Sequence, residues 1–285
     1  DKIVEKITDR TMAIFVSPVL GNPPDIDKLI DICETYGIIL IGDNCDSLGT
    51  MWKKKLITDY YYAWTTSFYP AHHMSTGEGG MVCSNDKDFM RIATSIAWWG
   101  RDCYCVGSNN LLSCGTCGNR FDRWLDDYDG IIDHKYVFTT IGYNLKPLDL
   151  QGAIGMAQLK KFDMLESKRR EYKKQIGGFI DAYIKGVRVI EETPYSDPSW
   201  FGVPVYCETQ ELREQLVEYF EENEIQTRSY FAGNLLFHPA YKHLDDYRKY
   251  PKSNLALSNV FFLGCSPLYN DKVIDYIHEV CRKWD

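Results

Sequence analysis

A helix bracketed by two apolar runs is the feature that most constrains how this chain can fold. Residues 13–19 are rich in β-formers and end at Pro18 before a G-N-P-P turn. Asp25 then stands where a helix N-cap belongs, and Ile26, Leu29, Ile30 and Cys33 follow at helical spacing. Gly37 predicts the left-handed stop of that helix, and the I-I-L-I run that follows at once predicts a buried strand. Strand, helix and strand with short connections imply a parallel α/β sheet. Residues 62–68 and 81–83 read as two further strands. Residues 86–98 read as a helix with Phe89, Ile92, Ala93 and Ile96 on one side.

Between Gly100 and Gly130 the periodicity dissolves into a cysteine- and glycine-rich insertion. Structureless stretches of that length are uncommon without a function. A long helical stretch from Pro147 toward Tyr183 follows, with a break expected near Gly177-Gly178, and its A-I-G-M-A run suits close helix packing. The remainder reads as a smaller α+β unit: W-F-G-V-P-V-Y as strand, 212–222 as helix, 273–284 as a closing helix. The expected division is a large α/β domain over residues 1–165, carrying the insertion at 100–130, and a small C-terminal domain over 166–285. The K-K-K run at Lys53–Lys55 reads as a solvated hairpin edge.

Composition narrows the classes. The chain has 285 residues and no run of eighteen apolar ones, which argues against a membrane span. A net charge of −8 argues against non-specific nucleic-acid binding and suits a cytoplasmic enzyme. Ten cysteines without an export signal point to metal or redox chemistry rather than a disulfide framework.

Three sets of residues carry chemistry. Asp43 ends a buried strand, the edge at which open α/β sheets bind ligands, although a carboxylate there can also simply cap a turn. Asp46 follows closely, with no role assigned. The segment S-F-Y-P-A-H-H-M-S-T-G-E-G-G runs from Ser67 to Gly80 and places His72 in a glycine-flanked loop, with His73 beside it. The thiols of Cys103, Cys105, Cys114 and Cys117 lie in one insertion, and Cys45 lies two residues after Asp43. By spacing alone a zinc site and an iron–sulfur cluster remain open. Cys33, Cys83, Cys207, Cys265 and Cys281 sit in apolar contexts and read as buried packing residues.

The Ser67–Gly80 segment resembles the cofactor-lysine motif of the DegT/DnrJ/EryC1/StrS sugar aminotransferases, with His72 at the lysine position. That resemblance implies the aspartate-aminotransferase type of α/β fold, fold type I of the pyridoxal phosphate enzymes, and a homodimer. Imidazole cannot form a Schiff base but can move a proton near neutral pH. The swap therefore resembles the branch that removes a sugar hydroxyl with non-covalently held pyridoxamine 5′-phosphate. In that branch His72 is the expected catalytic base, Asp43 the partner of the pyridine nitrogen, Ser67 a phosphate ligand and Asn144 a phosphate ligand from the neighbouring subunit. Compared with the family, a sizeable N-terminal part is expected to be absent, leaving the large domain and its cofactor site incomplete.

W-W-G-R-D-C-Y-C, C-G-N-R-F, D-H-K-Y and I-G-Y-N-L-K narrow the resemblance to the CDP-4-keto-6-deoxyglucose 3-dehydrase branch. This implies a [2Fe–2S] cluster on Cys45, Cys103, Cys105 and Cys117, with Cys114 the rival fourth ligand because the loop is a few residues longer here. It also implies a nucleotide-sugar substrate and an NADH-dependent iron–sulfur flavoprotein reductase as partner. If the chain stays extended, the Cα atoms of Asp43 and Cys45 are roughly 6–7 Å apart, close enough to couple cluster and cofactor. Arg228 and His238 are expected near the sugar nucleotide. A cluster-free GDP-sugar dehydratase, a lysine-type aminotransferase, which His72 disfavours, and a zinc-stabilised non-catalytic homologue are the rival readings.

Overall fold

The computed structural model describes residues 2–102 and 120–284. In chain order the first elements are β1 (Ala13–Val16), α1 (Ile26–Tyr36), β2 (Ile39–Asp43), β3 (Met51–Trp52), β4 (Lys55–Leu56), β5 (Ala63–Ser67), β6 (Gly80–Ser84) and α2 (Lys87–Ala97). Then come β7 (Phe121–Asp122), β8 (Ile132–Asp133), α3 (Asp149–Leu159), α4 (Phe162–Tyr183), β9 (Val187–Val189) and β10 (Ser196–Asp197). The last are β11 (Gly202–Cys207), α5 (Gln210–Glu222), β12 (Thr227–Ser229), α6 (Pro251–Asn259), β13 (Val260–Gly264) and α7 (Asp271–Arg282).

The signals around α1 act as expected. The Asp25 carboxylate accepts from the Lys28 amide, and Gly37 closes the helix with φ 64°. The sheet that follows has the order β1-β2-β5-β6. Its first three strands are parallel, but β6 runs antiparallel to β5, pairing Gly80 with Ser67. The loop between those strands is thus a return connection that keeps the His72 segment at one end of the sheet. Gly42 is required within β2, because a Cβ there would stand 2.3 Å from the Tyr61 ring. Both outer strands carry exposed apolar residues, Met12 and Phe15 near β1 and Met81 and Val82 on β6.

A second, antiparallel sheet has the order β12-β13-β11-β9. Its faces pack against α4, α5 and α7 through Ile176, Ile180, Val203, Leu216, Phe220, Phe261 and Ile277. Each such fully buried side chain contributes about 1.5–3 kcal/mol relative to exposure. A separate core joins Ile26, Leu29, Leu40, Trp52, Ile57 and Tyr61.

Three expectations need correction. The long helix breaks at Lys160-Lys161, not at Gly177-Gly178, and α4 runs unbroken through residue 165. Both glycines are helical; Gly177 lies against Val189, where a Cβ would come to 3.2 Å of Cγ1, and Gly178 faces open space. The lysine run forms the turn itself: Lys53 and Lys54 have φ of 47° and 66°, as a two-residue hairpin turn with both central φ values positive demands. Lys53 also pairs with Asp27 at 2.6 Å. Cys83 is half-buried, whereas Cys33, Cys207, Cys265 and Cys281 are buried as expected.

The flanks of the cysteine-rich insertion are tied together. His134 Nε2 lies 2.6 Å from Asp102 Oδ2, Arg120 pairs with Asp133 at 2.7 Å, and the His134 amide donates to the Arg120 carbonyl. Trp124 stacks on His134 at 4.1 Å between ring centroids. Cys103, Cys105, Cys114 and Cys117 lie outside the described residues.

Candidate active site

The C-terminal ends of β2 and β5 build one side of the site. Asp43 pairs in register with Thr65, whose hydroxyl donates to Asp43 Oδ1 at 3.4 Å. The Cys45 amide donates to the same oxygen at 3.1 Å. This turn corrects the expectation of an extended segment, because it folds Cys45 back toward Asp43. Ser67 ends β5, and its hydroxyl accepts from the Tyr69 amide at 3.1 Å. Asp43 and Ser67 thus stand at the ends of adjacent strands, a carboxylate and a hydroxyl suited to the nitrogen and phosphate ends of a pyridine cofactor.

His72 occupies the loop beyond. Its amide donates to the Tyr69 carbonyl, and its ring lies between Tyr69 and Phe201, with centroids 5.8 and 5.6 Å away. Nε2 is 3.5 Å from Asp46 Oδ1, while the buried Nδ1 has no partner. Burial holds the imidazole pKa below its usual value; the Asp43 charge opposes this and the Arg169 charge adds to it. Burial, then the Asp43 charge, pushes Asp46 up to about 6. The distance alone suggests an ion pair, but burial favours the neutral form of each partner. We read the contact as leaving the imidazole able to accept a proton. His72 also lines a cavity of about 1220 Å³, shared with Lys161, Arg169, Phe201, Arg228 and Tyr269.

His73 is a different kind of residue. It is buried, its Nε2 meets the Ser199 carbonyl at 2.9 Å, and burial drives its pKa to about 3. A histidine depressed below its unfolded value of about 6.5 gives stability above that pH, lost as pH falls toward the folded value. Urea unfolding followed from pH 7 to pH 4 should therefore show a shallower acid decline in His73→Gln than in the parent. Equal slopes would mean that another group carries the decline.

Asn144 is exposed and bridges Trp98 through the main chain, apart from this cluster. Arg228 lies on the cavity wall, where its guanidinium donates to the Gln226 amide oxygen at 2.8 and 2.9 Å. His238 turns to the Ala232 carbonyl instead. Sequence reasoning missed Arg169 and Phe201, which close the far side of His72. The R-R pair on an otherwise amphipathic helix was the one available signal, and surface ion pairs explain such pairs equally well. Among the described residues no group of three or more His, Cys, Asp or Glu could hold a metal. Cys45 itself is partly buried, and burial with the Asp43 carboxylate pushes its thiol up to about 12. A bound metal inverts that preference.

Gln151 on α3 ties the glycine end of the loop, donating to the Glu78 carbonyl at 2.7 Å. Gly155 sits against Thr76 of the loop rather than against another helix, and α3 buries no residue, so the close helix packing expected of the A-I-G-M-A run is not seen among the described residues. No helix among the described residues is long and apolar enough to cross a membrane.

The family model for the DegT/DnrJ/EryC1/StrS aminotransferases matches residues 1–282. The chain is similar to dTDP-4-dehydro-2,6-dideoxy-D-glucose 3-dehydratase of Saccharopolyspora spinosa, 36% identical over 285 residues, covering 98% of this chain and 60% of that protein. It is also similar to lipopolysaccharide biosynthesis protein RfbH of Salmonella typhimurium, at 34% identity over 95% of this chain and 62% of that protein. The chain thus spans about three-fifths of the length of these curated relatives. Among solved structures, an E. coli GDP-4-keto-6-deoxy-D-mannose-3-dehydratase with bound hydrated PLP superimposes with TM-score 0.80 at 28% identity, covering 98% of this chain and 69% of that one. The architecture is the fold-type-I α/β arrangement expected from the sequence.

Proposed function

The chain belongs to the DegT/DnrJ/EryC1/StrS aminotransferase family, and from that premise we propose that it is the larger part of a cytoplasmic nucleotide-sugar 3-dehydrase. The substrate is a nucleotide-linked 4-keto-6-deoxyhexose, CDP-linked on the sequence resemblance, and the product serves 3,6-dideoxyhexose synthesis. The observation that carries this reading is His72, half-buried with an unpartnered Nδ1, at the place the sequence resemblance gives to the family's lysine. Similarity to relatives named as 3-dehydratases supports it.

Pyridoxamine 5′-phosphate would supply the amine that condenses with the 4-keto group and the ring that accepts electrons when the C4′ proton leaves. Asp43 would keep the pyridine nitrogen protonated, Ser67 would hold the phosphate, and Asn144 would reach it from a second copy of the chain. The exposed apolar residues Leu148, Leu150, Met156 and Leu159 on and beside α3 support such a homodimer. His72 would take the C4′ proton as the C3 hydroxyl departs. Residues 1–165 form the cofactor domain in this reading and 166–285 the small domain. The thiolates of Cys45, Cys103, Cys105 and Cys117 would hold one [2Fe–2S] cluster that passes single electrons from an NADH-dependent reductase. A GDP-linked substrate handled without a cluster is the second reading, favoured by the similarity to GDP-sugar dehydratases.

Iron and sulfide content of anaerobically purified full-length protein, with its visible spectrum, separates the two readings. The position of His72 is tested apart from either. His72→Lys should gain a borohydride-stable adduct with added pyridoxal phosphate, because only the amine is lacking. No trapping at saturating cofactor would show that His72 does not stand at the lysine's place.

A further inference from the structure

Adjacent arginines on α4 have opposite surroundings. Arg170 pairs with Glu166 at 2.8 Å and with Asp197 at 2.7 Å. Arg169 is only 7% exposed, yet among the described residues no carboxylate stands within ion-pair distance of it. Its guanidinium donates to two main-chain carbonyls instead, from Nη1 to Phe201 at 3.3 Å and from Nη2 to His72 at 3.5 Å, and meets the Cys265 thiol, which burial pushes up to about 11 and keeps neutral. Nε has no partner. The Phe201 ring lies 5.9 Å from this guanidinium and 5.6 Å from the His72 ring. Burying a charge without a counter-ion is costly, and such a site persists where the charge or its geometry is used.

We propose that Arg169 is a positioning residue for His72, holding the carbonyls of His72 and Phe201 together and placing one uncompensated positive charge beside the imidazole. The proposal rests on the reading of His72 as the base. A base must present an unprotonated nitrogen in a fixed place, and a small displacement from a supporting residue is enough to slow the reaction. Arg169 serves both needs. It anchors the main chain of the loop at the residue that reacts, and its charge disfavours the imidazolium form. The other charge that shifts His72 is Asp43 at the end of β2, which acts in the opposite sense, while Asp46, 3.5 Å from Nε2, is pushed by burial toward its neutral form. His73 is neutral beside it, Tyr69 and Phe201 supply only rings, Tyr230 faces Asp46, and Lys161 and Arg228 stand further round the cavity. Of the charges that shift the imidazole among the described residues, Arg169 is the one cation.

The alternative is that Arg169 merely ties α4 to the start of β11 for stability. Full-length Arg169→Met and Arg169→Lys distinguish the two. In Arg169→Met the ¹⁵N-imidazole titration of His72 should move upward by about half to one pH unit. Exchange of the cofactor C4′ hydrogen should fall about tenfold to a hundredfold. Substrate KM should change little. Arg169→Lys should keep the titration near that of the parent, since the charge remains. Its exchange should stay slow, since one ammonium cannot hold two carbonyls in a planar fork. A lowered melting temperature with unmoved titration and unmoved exchange in either variant would overturn the proposal. The imidazole titration reads the arginine's effect even if the parent protein shows no C4′ exchange, so failure of the proposed reaction and failure of this inference are told apart. Should Arg169→Met fail to fold, Arg169→Lys alone decides through its exchange rate.

Discussion

His72→Asn is expected to abolish C3 dehydration while cofactor and cluster content stay near those of the parent. The loss of a positioned general base costs about a hundredfold to ten-thousandfold. Both histidines line the cavity with an unpartnered Nδ1, and His72 is the one suited to that role, since it is only half-buried and its Nε2 is not committed to a main-chain carbonyl. Asparagine preserves the bulk between Tyr69 and Phe201 and leaves the Arg169 contact with the main-chain carbonyl in place. The measurement is exchange of the C4′ hydrogen with solvent, using full-length protein loaded with pyridoxamine phosphate. Normal exchange in the variant would remove His72 from the base role. His73 is a poor substitute, because its Nε2 is committed to the Ser199 carbonyl and its pKa lies near 3.

The second large effect concerns the thiols. Serine at Cys45, Cys103, Cys105 or Cys117 should bleach the protein and stop net deoxygenation, since four sulfur ligands complete the two tetrahedral irons of one [2Fe–2S] unit. C4′ exchange should survive in each variant, because in the proposed reaction His72 and Asp43 would carry that step without redox chemistry. Cys114→Ser should keep both colour and activity. Bleaching in Cys114→Ser with a coloured Cys117→Ser would exchange those two assignments. Stoichiometric zinc without iron in anaerobic preparations would end the redox reading. Cys45 is the most informative position, because its amide bonds the Asp43 carboxylate and the two residues share one turn.

The sequence spoke most clearly where local chemistry decides structure. Asp25 and Gly37 framed α1 because an N-cap carboxylate and a left-handed glycine act within a few residues of themselves. Asp43 and the loop histidine were visible because motif order encodes their placement. Direction and packing were less legible. Residues 81–83 announce a strand but not its antiparallel sense, which follows from the return of the loop at Gly80. Gly177-Gly178 reads as a helix breaker, yet α4 runs through it, with Gly177 against Val189. Arg169 was invisible as a site residue because its partners, the carbonyls of His72 and Phe201, lie 97 and 32 positions away along the chain. Long-range contacts of that kind leave no period in a sequence.

The tied flanks of the insertion bear on how such a protein can change over generations. Asp102 meets His134, Arg120 meets Asp133, and the main chain closes between Arg120 and His134. The neck is thus fastened on the described side of the interval 103–119, and the cost of closing a flexible loop rises only slowly with its length. Of the four thiols proposed as cluster ligands, Cys45 alone lies outside that interval, in the turn after β2. On the proposed reading, a lineage could acquire or discard electron transfer by rewriting one interval and one turn residue, leaving the proposed proton chemistry intact.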